Sequence, residues 1–290
     1  MINFIKRTNI FLSGFLGTVT IAIVLLAVFG LQPGIDFTGG TIVNVSGVTD
    51  RDAFDSSLQA LDVTAGSIVE SDNGLVVKLE FMEEDVWNSL STDLKSEFQD
   101  YSTESFEAIG PVLGNELIQK MLAAVLVTVV SLLFYIAWRF KDRVFGVAAI
   151  LALIHDVLVI LGAFAVFGKL FNVEVDVLFV TATLTAIAFS VHDTIVLFDR
   201  VREVRRRQPK IEYGEAINTA INQTLVRSLS TSLSILFVLI SLLVLGGESI
   251  RWFVVALLVG TISGAYSSPF IAAPLTVWWH RRVNSKSKKK

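Results

Sequence analysis

The sequence predicts a polytopic α-helical membrane protein with six transmembrane helices and one extracytoplasmic α+β domain of ferredoxin-like fold. Three observations lead to this prediction. The 290 residues are 53% hydrophobic and only 18% charged, whereas about a quarter of the residues in a soluble domain are charged. Six apolar stretches are long enough to cross a bilayer, and one acidic segment separates the first two. The chain has no cysteine, so neither disulfides nor a thiolate metal site contribute to the fold.

The six apolar stretches fit transmembrane helices, because crossing about 30 Å of hydrocarbon takes about 20 helical residues. They cover residues 10–31, 117–138, 144–167, 177–198, 225–245 and 252–278. The first is predicted to be an uncleaved anchor, since it exceeds the apolar core of a usual signal peptide and no clear small-x-small site follows it. The sequence thus divides into 1–31 (N-terminus and first helix), 32–116 (external domain), 117–278 (five helices with basic loops) and 279–290 (basic tail).

Basic residues cluster on one side of the predicted bilayer. The clusters precede the first stretch, separate the second from the third, follow the fourth and end the chain. They contain Lys6, Arg7, Arg139, Lys141, Arg143, Arg200, Arg202, Arg205, Arg206, Arg207, Lys210, Arg281, Arg282, Lys286, Lys288, Lys289 and Lys290. Because basic loops face the cytoplasm, both termini are predicted to be cytoplasmic.

The external segment 32–116 is strongly acidic. It has 17 acidic residues against Arg51, Lys78 and Lys95, a net charge of −14. Such a field repels nucleic acid and anionic lipid headgroups. It suits a surface that meets a polypeptide or small cations, and a plain solvated surface explains the charge equally well.

The hydrophobic pattern of this segment predicts the order β-α-β-β-α-β, the ferredoxin-like split motif. The strands are predicted at 41–46, 67–71, 75–81 and 105–109. Thr49 with Asp52 resembles a capping box that opens the first helix. An Asp-Asn-Gly sequence predicts the hairpin between the second and third strands, and a four-residue apolar repeat from Val86 predicts the second helix. This fold hosts many functions, so it assigns none by itself.

Ionisable side chains occur inside three of the predicted spans. The third span carries His155 and Asp156, the fourth His192 and Asp193, and the fifth Arg227. Each charged residue costs about 2.5–3.5 kcal/mol on insertion scales, which makes it a functional candidate by default.

Arg227 belongs to a polar stripe of the fifth span. The stripe residues recur at helical spacing around it and share one helix face: Gln223, Thr224, Ser230, Thr231, Ser234 and Ser241. A polar stripe in a membrane helix faces other helices or water rather than lipid. Because Asp193 and Arg227 enter at similar depth on consecutive spans, we expect them to be partners across a helix interface.

The Asp193–Arg227 pair predicts a proton relay. Burial and a neighbouring arginine act on a carboxylate in opposite directions, so a small change in separation can load or release a proton. We expect further members to extend the path around this pair: His192, His155, Asp156, Thr231, Ser230 and Ser234. Two alternatives stay open. The pair can serve only to fix helix packing, where polar contacts contribute about 0.6–2 kcal/mol, and each of the other ionisable residues alone also fits a hydrogen-bonded packing residue.

The sixth span has small residues at four-residue spacing, which is typical of a face that packs closely on another helix. Gly260, Gly264 and Ser268 form the repeat, with Ser263 and Ser267 beside them. The pattern predicts a seam with a neighbouring helix.

Four segments resemble the SecF branch of the SecD/SecF family of protein-export membrane proteins, relatives of the resistance-nodulation-division transporters. They are GIDFTGG at 34–40, GPVLG at 110–114, SVHDTIVLFDR at 190–200 and LVRSLSTS at 225–232. The resemblance covers almost the whole chain, including its length and the order of its spans. It implies a multi-pass protein of the bacterial cytoplasmic membrane that pairs with SecD in a twelve-span unit.

The resemblance also implies a function. Such a unit uses the proton gradient to help unfolded polypeptides leave the SecYEG channel after the SecA motor acts, with no cofactor beyond the coupling ion. Asp193 matches the family's essential carboxylate, and Arg227 matches its span-five arginine. His192 stands where family members commonly have Asn, so the coupling ion, proton or sodium, stays open.

Three other function classes compete with this one. A small-solute exporter shares the superfamily architecture, although one compact domain offers little room for a substrate cleft of its own. A non-transporting scaffold needs no proton chemistry. An enzyme is the class least expected, because the external domain has no nucleophile–base pair and the spans have no HExxH-type metal spacing.

Overall fold

The computed structural model describes residues 3–71, 74–98, 100–140 and 142–287. These residues fall into two compact units. The membrane unit contains the N-terminal segment up to Gln32 and the chain from Val125 onward, and the α+β unit is Pro33–Ala124.

The secondary structure alternates between short elements of the α+β unit and long helices of the membrane unit. In chain order, after a 3₁₀ turn at Ile5–Arg7, the elements are α1 (Thr8–Phe29), β1 (Gln32–Pro33), α2 (Ile35–Thr38), β2 (Gly40–Ser46), α3 (Arg51–Ala60), β3 (Ala65–Ser71), β4 (Gly74–Leu79), α4 (Glu84–Glu97), β5 (Ser102–Ile109), α5 (Pro111–Arg139), α6 (Arg143–Phe171), β6 (Glu174–Val175), α7 (Val177–Arg207), α8 (Tyr213–Leu245), α9 (Glu248–Ser267), a π-helix (Ser268–Ala272) and α10 (Ala273–Ser287). Helix α5 begins in the α+β unit and ends in the membrane unit.

Six helical segments of the described chain are long and apolar enough to cross a membrane, which confirms the predicted number. They are Ile5–Phe29, Val112–Arg139, Arg143–Phe171, Val177–Arg207, Tyr213–Leu245 and Glu248–Arg282. Helix α8 starts twelve residues before the predicted span, at Tyr213 rather than 225. Its first turns are helical because Ala216, Ile217 and Ala220 are fully buried against neighbouring helices, a contribution that a hydropathy window does not register.

Helices α6, α7 and α9 are the most buried of the membrane unit. The predicted seam of the sixth span is confirmed, because its glycines pack directly on α7. A Cβ atom at Gly260 would lie 2.3 Å from the Ala186 Cβ, and one at Gly264 would lie 3.1 Å from the Ser190 Cβ. The two helices approach closely here only because the small residues leave room.

The α+β unit has the predicted β-α-β-β-α-β order. Its antiparallel sheet has the strand order β3-β4-β2-β5, which confirms the ferredoxin-like topology. Large apolar side chains from the sheet and from both helices fill the core, with Val43, Phe54 and Trp87 almost fully buried. The Trp87 indole N–H donates to the Thr103 hydroxyl at 3.1 Å, so the largest core side chain leaves no polar atom unpaired.

Local details of this unit differ from the prediction at one helix start. The prediction that Thr49 caps α3 is wrong: Asp50 is the N-cap, and its carboxylate accepts the backbone N–H groups of Asp52 and Ala53 at 3.1 and 3.0 Å. The carboxylate one residue further on satisfies two free helix donors, which is what a cap must do.

Some predicted features fall outside the described residues. In the predicted hairpin these are Asp72 and Asn73, although β3 and β4 on either side pair antiparallel, with Ser71 opposite Gly74. The same applies to Lys141 in the turn before α6 and to Lys288, Lys289 and Lys290 in the tail.

The glycine pair of the 34–40 segment turns the chain into the central strand β2. Gly39 and Gly40 have φ of +70° and +132°, values that side chains rarely tolerate. Gly114 packs closely against them: a Cβ atom at Gly114 would lie 3.2 Å from the Gly39 nitrogen. Two of the segments that carry the family resemblance, 34–40 and 110–114, therefore contact each other.

Candidate functional site

Asp193 of α7 and Arg227 of α8 line the same cleft in the membrane unit. Five further polar residues line it: His192, Thr224, Ser228, Thr231 and Ser268. Its volume of about 50 Å³ has room for a few water molecules, since one water needs about 10–15 Å³ of such space. The two residues at the centre of the sequence prediction thus line one cleft with space for water.

The Asp193 carboxylate is half-buried and makes one hydrogen bond across the α7–α8 interface. Its Oδ2 atom accepts the Ser228 hydroxyl at 2.6 Å. Arg227 is exposed, and no ion pair within 4.0 Å joins it to Asp193 in the described part of the chain. The structure therefore brings the predicted partners into one cleft but holds them unpaired.

The remaining stripe residues of α8 divide into two groups. Thr231 lines the cleft and donates its hydroxyl to the Arg227 carbonyl at 3.1 Å. Ser230 and Ser234 are exposed and do not line the cleft; the Ser234 hydroxyl donates to the Ser230 carbonyl at 2.8 Å. His192 is exposed at the cleft edge. The polar stripe thus continues from the cleft onto the outer surface of α8.

His155 and Asp156 do not line the cleft and form a separate buried cluster. Asp156 is 2% exposed and His155 is 0% exposed. Each carboxylate oxygen of Asp156 has two hydrogen-bonding neighbours. Oδ1 accepts the Ser263 hydroxyl at 2.6 Å and faces His155 Nδ1 at 3.0 Å, and Oδ2 accepts the Ser267 hydroxyl at 2.7 Å and a short bond from the Ser190 hydroxyl.

The other ring nitrogen of His155 faces α1 and α9. His155 Nε2 lies 3.0 Å from the Thr18 hydroxyl oxygen and 3.4 Å from the Tyr266 hydroxyl oxygen. Phe15 packs near the imidazole, with ring centroids 5.8 Å apart. The cluster therefore ties α6 to α1, α7 and α9 through side-chain hydrogen bonds.

Two hydroxyls lie between the buried cluster and the cleft. Thr194 Oγ1 is 2.8 Å from Ser268 Oγ, and the Thr194 hydroxyl is 3.1 Å from the Ser190 carbonyl. Ser268 lines the cleft, and its neighbour Ser267 contacts Asp156. The chain forms a π-helix from Ser268, next to Pro269, and such local widening of a helix is frequent at functional sites.

A second aspartate on α7, Asp199, belongs to neither site. Asp199 forms an ion pair with Arg139 of α5 and lies 3.7 Å from Arg202 of its own helix. It is the closest chemical match to Asp193 on the same helix and provides a control for substitutions there.

Sequence reasoning missed most of the hydroxyls that complete the two sites. Ser263 and Ser267 were visible as part of a small-residue face, but spacing alone did not indicate that their hydroxyls point at a carboxylate. Ser228 follows Arg227 directly and falls off the stripe spacing. Thr18 and Tyr266 carried no signal, because single hydroxyls are common in apolar helices.

Among the described residues no three His, Asp or Glu side chains lie close enough together to hold an ion.

Known proteins similar to this chain belong to the family that its four sequence segments resemble. The chain matches the family model of the protein export membrane protein SecD/SecF C-terminal region over residues 89–282 and the SecD/SecF GG motif over residues 24–46. It is 39% identical to protein translocase subunit SecF of Thermobaculum terrenum, over 89% of this chain and 88% of the relative. It is 34% identical to the SecF subunit of Anaerolinea thermophila, over 96% and 94%.

Two solved structures are similar over nearly the whole chain. The crystal structure of SecDF, a translocon-associated membrane protein from Thermus thermophilus, has a TM-score of 0.85 at 32% identity and covers 97% of this chain and 39% of that chain. SecDF in a super-membrane-facing form has a TM-score of 0.73 at 30% identity, with 100% and 40% covered. The chain thus spans about two fifths of the solved SecDF chains that it matches.

Proposed function

The chain belongs to the SecD/SecF family of protein export membrane proteins, and we propose that it is the SecF-type part of a SecDF unit. In this proposal the unit uses the proton gradient to promote export of unfolded polypeptides across the cytoplasmic membrane. The observation that carries the proposal is the shared cleft of Asp193 and Arg227. A carboxylate and a guanidinium on one wet face inside a membrane unit form a site where a proton can bind from water.

The carboxylate of Asp193 is arranged to change its protonation state at low structural cost. Only Oδ2 has a hydrogen-bond donor among the described contacts, the Ser228 hydroxyl, so Oδ1 is free to take a proton from water in the cleft. The ionised carboxylate attracts Arg227 across the cleft, and the protonated acid does not. Proton binding therefore changes the force between α7 and α8 without breaking a hydrogen-bond network.

The proposed coupling is conformational. Ser228 lies on α8, so the bond to Asp193 links the two helices, and loss of charge on Asp193 weakens that link. A shift at this seam changes the packing of the membrane unit, and α1 and α5 connect that unit covalently with the α+β unit. In the proposal the α+β unit then moves together with the SecD partner and releases its grip on a translocating polypeptide.

Several features of the chain support the proposed partners and orientation. This chain covers about two fifths of each solved SecDF chain, and in the proposal a SecD-type partner supplies the rest of the unit. The exposed part of the polar stripe on α8 gives such a partner a polar face to cover. The basic helix ends support a cytoplasmic position for both termini, and the charge of the α+β segment suits polypeptide near SecYEG and repels nucleic acid.

Gradient-dependent export in inverted membrane vesicles tests the proposal. Asp193→Asn keeps the size of the side chain and removes its titration, so export kinetics should fall to the rate seen when an uncoupler collapses the gradient. Asp199→Asn, on the same helix, should keep the gradient-dependent component. Export by Asp193→Asn that still responds fully to the gradient would refute the relay and favour a scaffold. Repeating the assay with a sodium gradient in place of the proton gradient identifies the coupling ion.

A further inference from the structure

We propose that His155 and Asp156 form a second proton-binding site in the membrane unit, which exchanges protons with the Asp193 cleft through hydroxyls of α7, α9 and the π-helix. This inference rests on the proposed proton coupling and adds a second titrating station to it. The site takes up a proton that arrives from water in the cleft and returns it to water when it is released, so the step needs no other reactant.

The ionised carboxylate of Asp156 has all of its hydrogen-bond positions filled. A carboxylate has about four lone-pair positions for hydrogen bonds, and Asp156 uses all of them. Three hydroxyls from α7 and α9, those of Ser190, Ser263 and Ser267, and the Nδ1 atom of His155 surround it. This ring of donors keeps a charge in a buried position without help from solvent.

The protonated state of Asp156 can also be fully hydrogen-bonded. The Ser267 hydroxyl lies 3.4 Å from the Gly264 carbonyl in addition to its bond with Asp156. When Oδ2 carries a proton, Ser267 turns its hydrogen to Gly264 and accepts the proton of Asp156. Every polar atom keeps a partner, so the proton can be exchanged by rotation of one hydroxyl.

His155 has hydrogen-bond partners in both of its charge states. As a neutral ring with Nδ1–H facing Asp156, its Nε2 accepts the hydroxyl of Thr18 or Tyr266. As an imidazolium it donates to the Thr18 oxygen, because the Thr18 hydrogen then goes to the carbonyl of Gly14 or Phe15, at 3.1 and 3.0 Å. A histidine that serves packing alone needs partners for one of these states.

The side chains that face His155 and Asp156 do not compete with them for the proton. Tyr266 of α9 is the titratable side chain that contacts the pair from another helix. Helix α1 presents Thr18 and Phe15, and α7 presents Ser190, none of which titrates in the physiological range. Among the described contacts no arginine or lysine pairs with Asp156.

Hydroxyl groups on either side of the His155–Asp156 cluster indicate the route that a proton would take. Toward the cleft, Thr194 and Ser268 lie within 2.8 Å of each other beside Ser190 and Ser267. In the other direction along the same two helices, the hydroxyl oxygens of Thr183 and Thr261 are buried and have no hydrogen-bond partner in the described part of the chain. Polar positions therefore continue past Asp156 on the side away from the cleft.

Infrared difference spectroscopy of the full-length chain, reconstituted in lipid with its SecD-type partner and titrated with acid, tests the inference. A buried carboxylic acid gives a C=O band that appears when the group takes a proton. In an Asp193→Asn background we expect one such band to persist and to be absent from the Asp193→Asn, Asp156→Asn double variant. Identical spectra of the two variants would overturn the proposal.

A second pair of variants covers the case in which Asp156→Asn does not fold. Ser267→Ala keeps Asp156 but removes the hydroxyl that receives its proton, so the band of the Asp193→Asn background should shift. The control Ser234→Ala removes a hydroxyl that lies outside both sites and should leave the band in place. A band that Ser267→Ala does not shift, or the absence of any band in the Asp193→Asn background, would equally overturn the second site.

The two proposals fail separately. If Asp193→Asn keeps gradient-dependent export, proton coupling at the cleft is refuted whatever the infrared result. If Asp193→Asn abolishes it while no band depends on Asp156 or Ser267, the cleft stands and only the second site is lost.

Discussion

The two polar sites of the membrane unit are built in opposite ways. Around Asp156 four donors from α6, α7 and α9 occupy both carboxylate oxygens, and the side chain is 2% exposed. Asp193 has a single hydroxyl donor, an unpaired arginine across the cleft and space for water. The closed site links three helices through hydrogen bonds, whereas the open site has one such bond across the α7–α8 interface. In our proposal the closed site changes its charge only when a hydroxyl turns, and the open site does so with little cost to packing.

The largest expected difference between the sites is in stability. Asp156→Ala removes the acceptor of the buried Ser190 and Ser263 hydroxyls and of His155 Nδ1, and it leaves Ser267 only the Gly264 carbonyl at 3.4 Å. Each unsatisfied buried group costs about 1–3 kcal/mol. We expect a loss of at least about 3 kcal/mol. Asp193→Ala removes one half-buried hydrogen bond, so its cost should stay near or below about 1 kcal/mol. Denaturant unfolding of the purified full chain in detergent measures both, and equal midpoints would break the distinction between the sites.

The helix seam beside the closed site should be nearly as sensitive. Gly260→Ala places a methyl group 2.3 Å from the Ala186 side chain, and overpacking of this kind costs about 1–3 kcal/mol. The matched control is Gly17→Ala on α1, where no atom lies within 4 Å of the added Cβ; it should be neutral or stabilising by up to about 1 kcal/mol. The same unfolding assay reports both variants, and a destabilised Gly17→Ala would remove the inference that the seam sets the effect.

The next largest expected difference between the two sites is their access to water. Since the chain has no cysteine, a single introduced thiol reports its own surroundings. Thr231→Cys in the cleft should react rapidly with a membrane-impermeant maleimide in the purified chain, and Ser263→Cys beside Asp156 should react only after unfolding. Comparable labelling rates in the folded protein would show that the buried cluster is as wet as the cleft. Adding the SecD-type partner should slow labelling of Ser234→Cys on the outer stripe if that face is covered.

The smallest expected effect lies outside the membrane unit and gives a reference for pH titrations. Burial raises the pKa of Tyr101 in the α+β unit, partly opposed by its hydrogen bond with Thr103. The folded state thus favours the neutral phenol, so its stabilising contribution is complete below the unfolded-state pKa of about 10 and is lost as pH rises through the higher folded pKa.

Tyr101→Phe should therefore reduce the alkaline loss of stability of the α+β unit. Unfolding measured as a function of pH in wild type and variant checks this, and an unchanged alkaline slope would show that another group titrates there. Changes below that range then report on carboxylates and histidines instead.

The sequence predicted the fold better than the contacts of the site, for physical reasons. Hydropathy and period-two alternation depend on the chain alone, so the six spans and the β-α-β-β-α-β order emerge correctly. The cap of α3 was misplaced by one residue because Thr49 and Asp50 both suit an N-cap, and only the backbone geometry selects Asp50.

The sequence predicted only those properties of the sites that depend on residue type and helix face. That Asp193 and Arg227 share a cleft followed from depth and the polar stripe, but their unpaired state depends on side-chain positions that no spacing rule gives. His155 and Asp156 were expected to extend the path from Asp193. Their separate burial depends on Ser263 and Ser267 arriving from a helix more than a hundred residues away, a contact that local pattern does not encode.

Proton movement itself is the most direct test of the central claim that Asp193 binds and releases the coupling proton. Liposomes that contain the chain with its SecD-type partner and an internal pH-sensitive dye receive an imposed proton gradient. We predict proton entry with the wild type and with Asp199→Asn, and entry no faster than in protein-free liposomes with Asp193→Asn. Proton entry through Asp193→Asn at the wild-type rate would contradict the account.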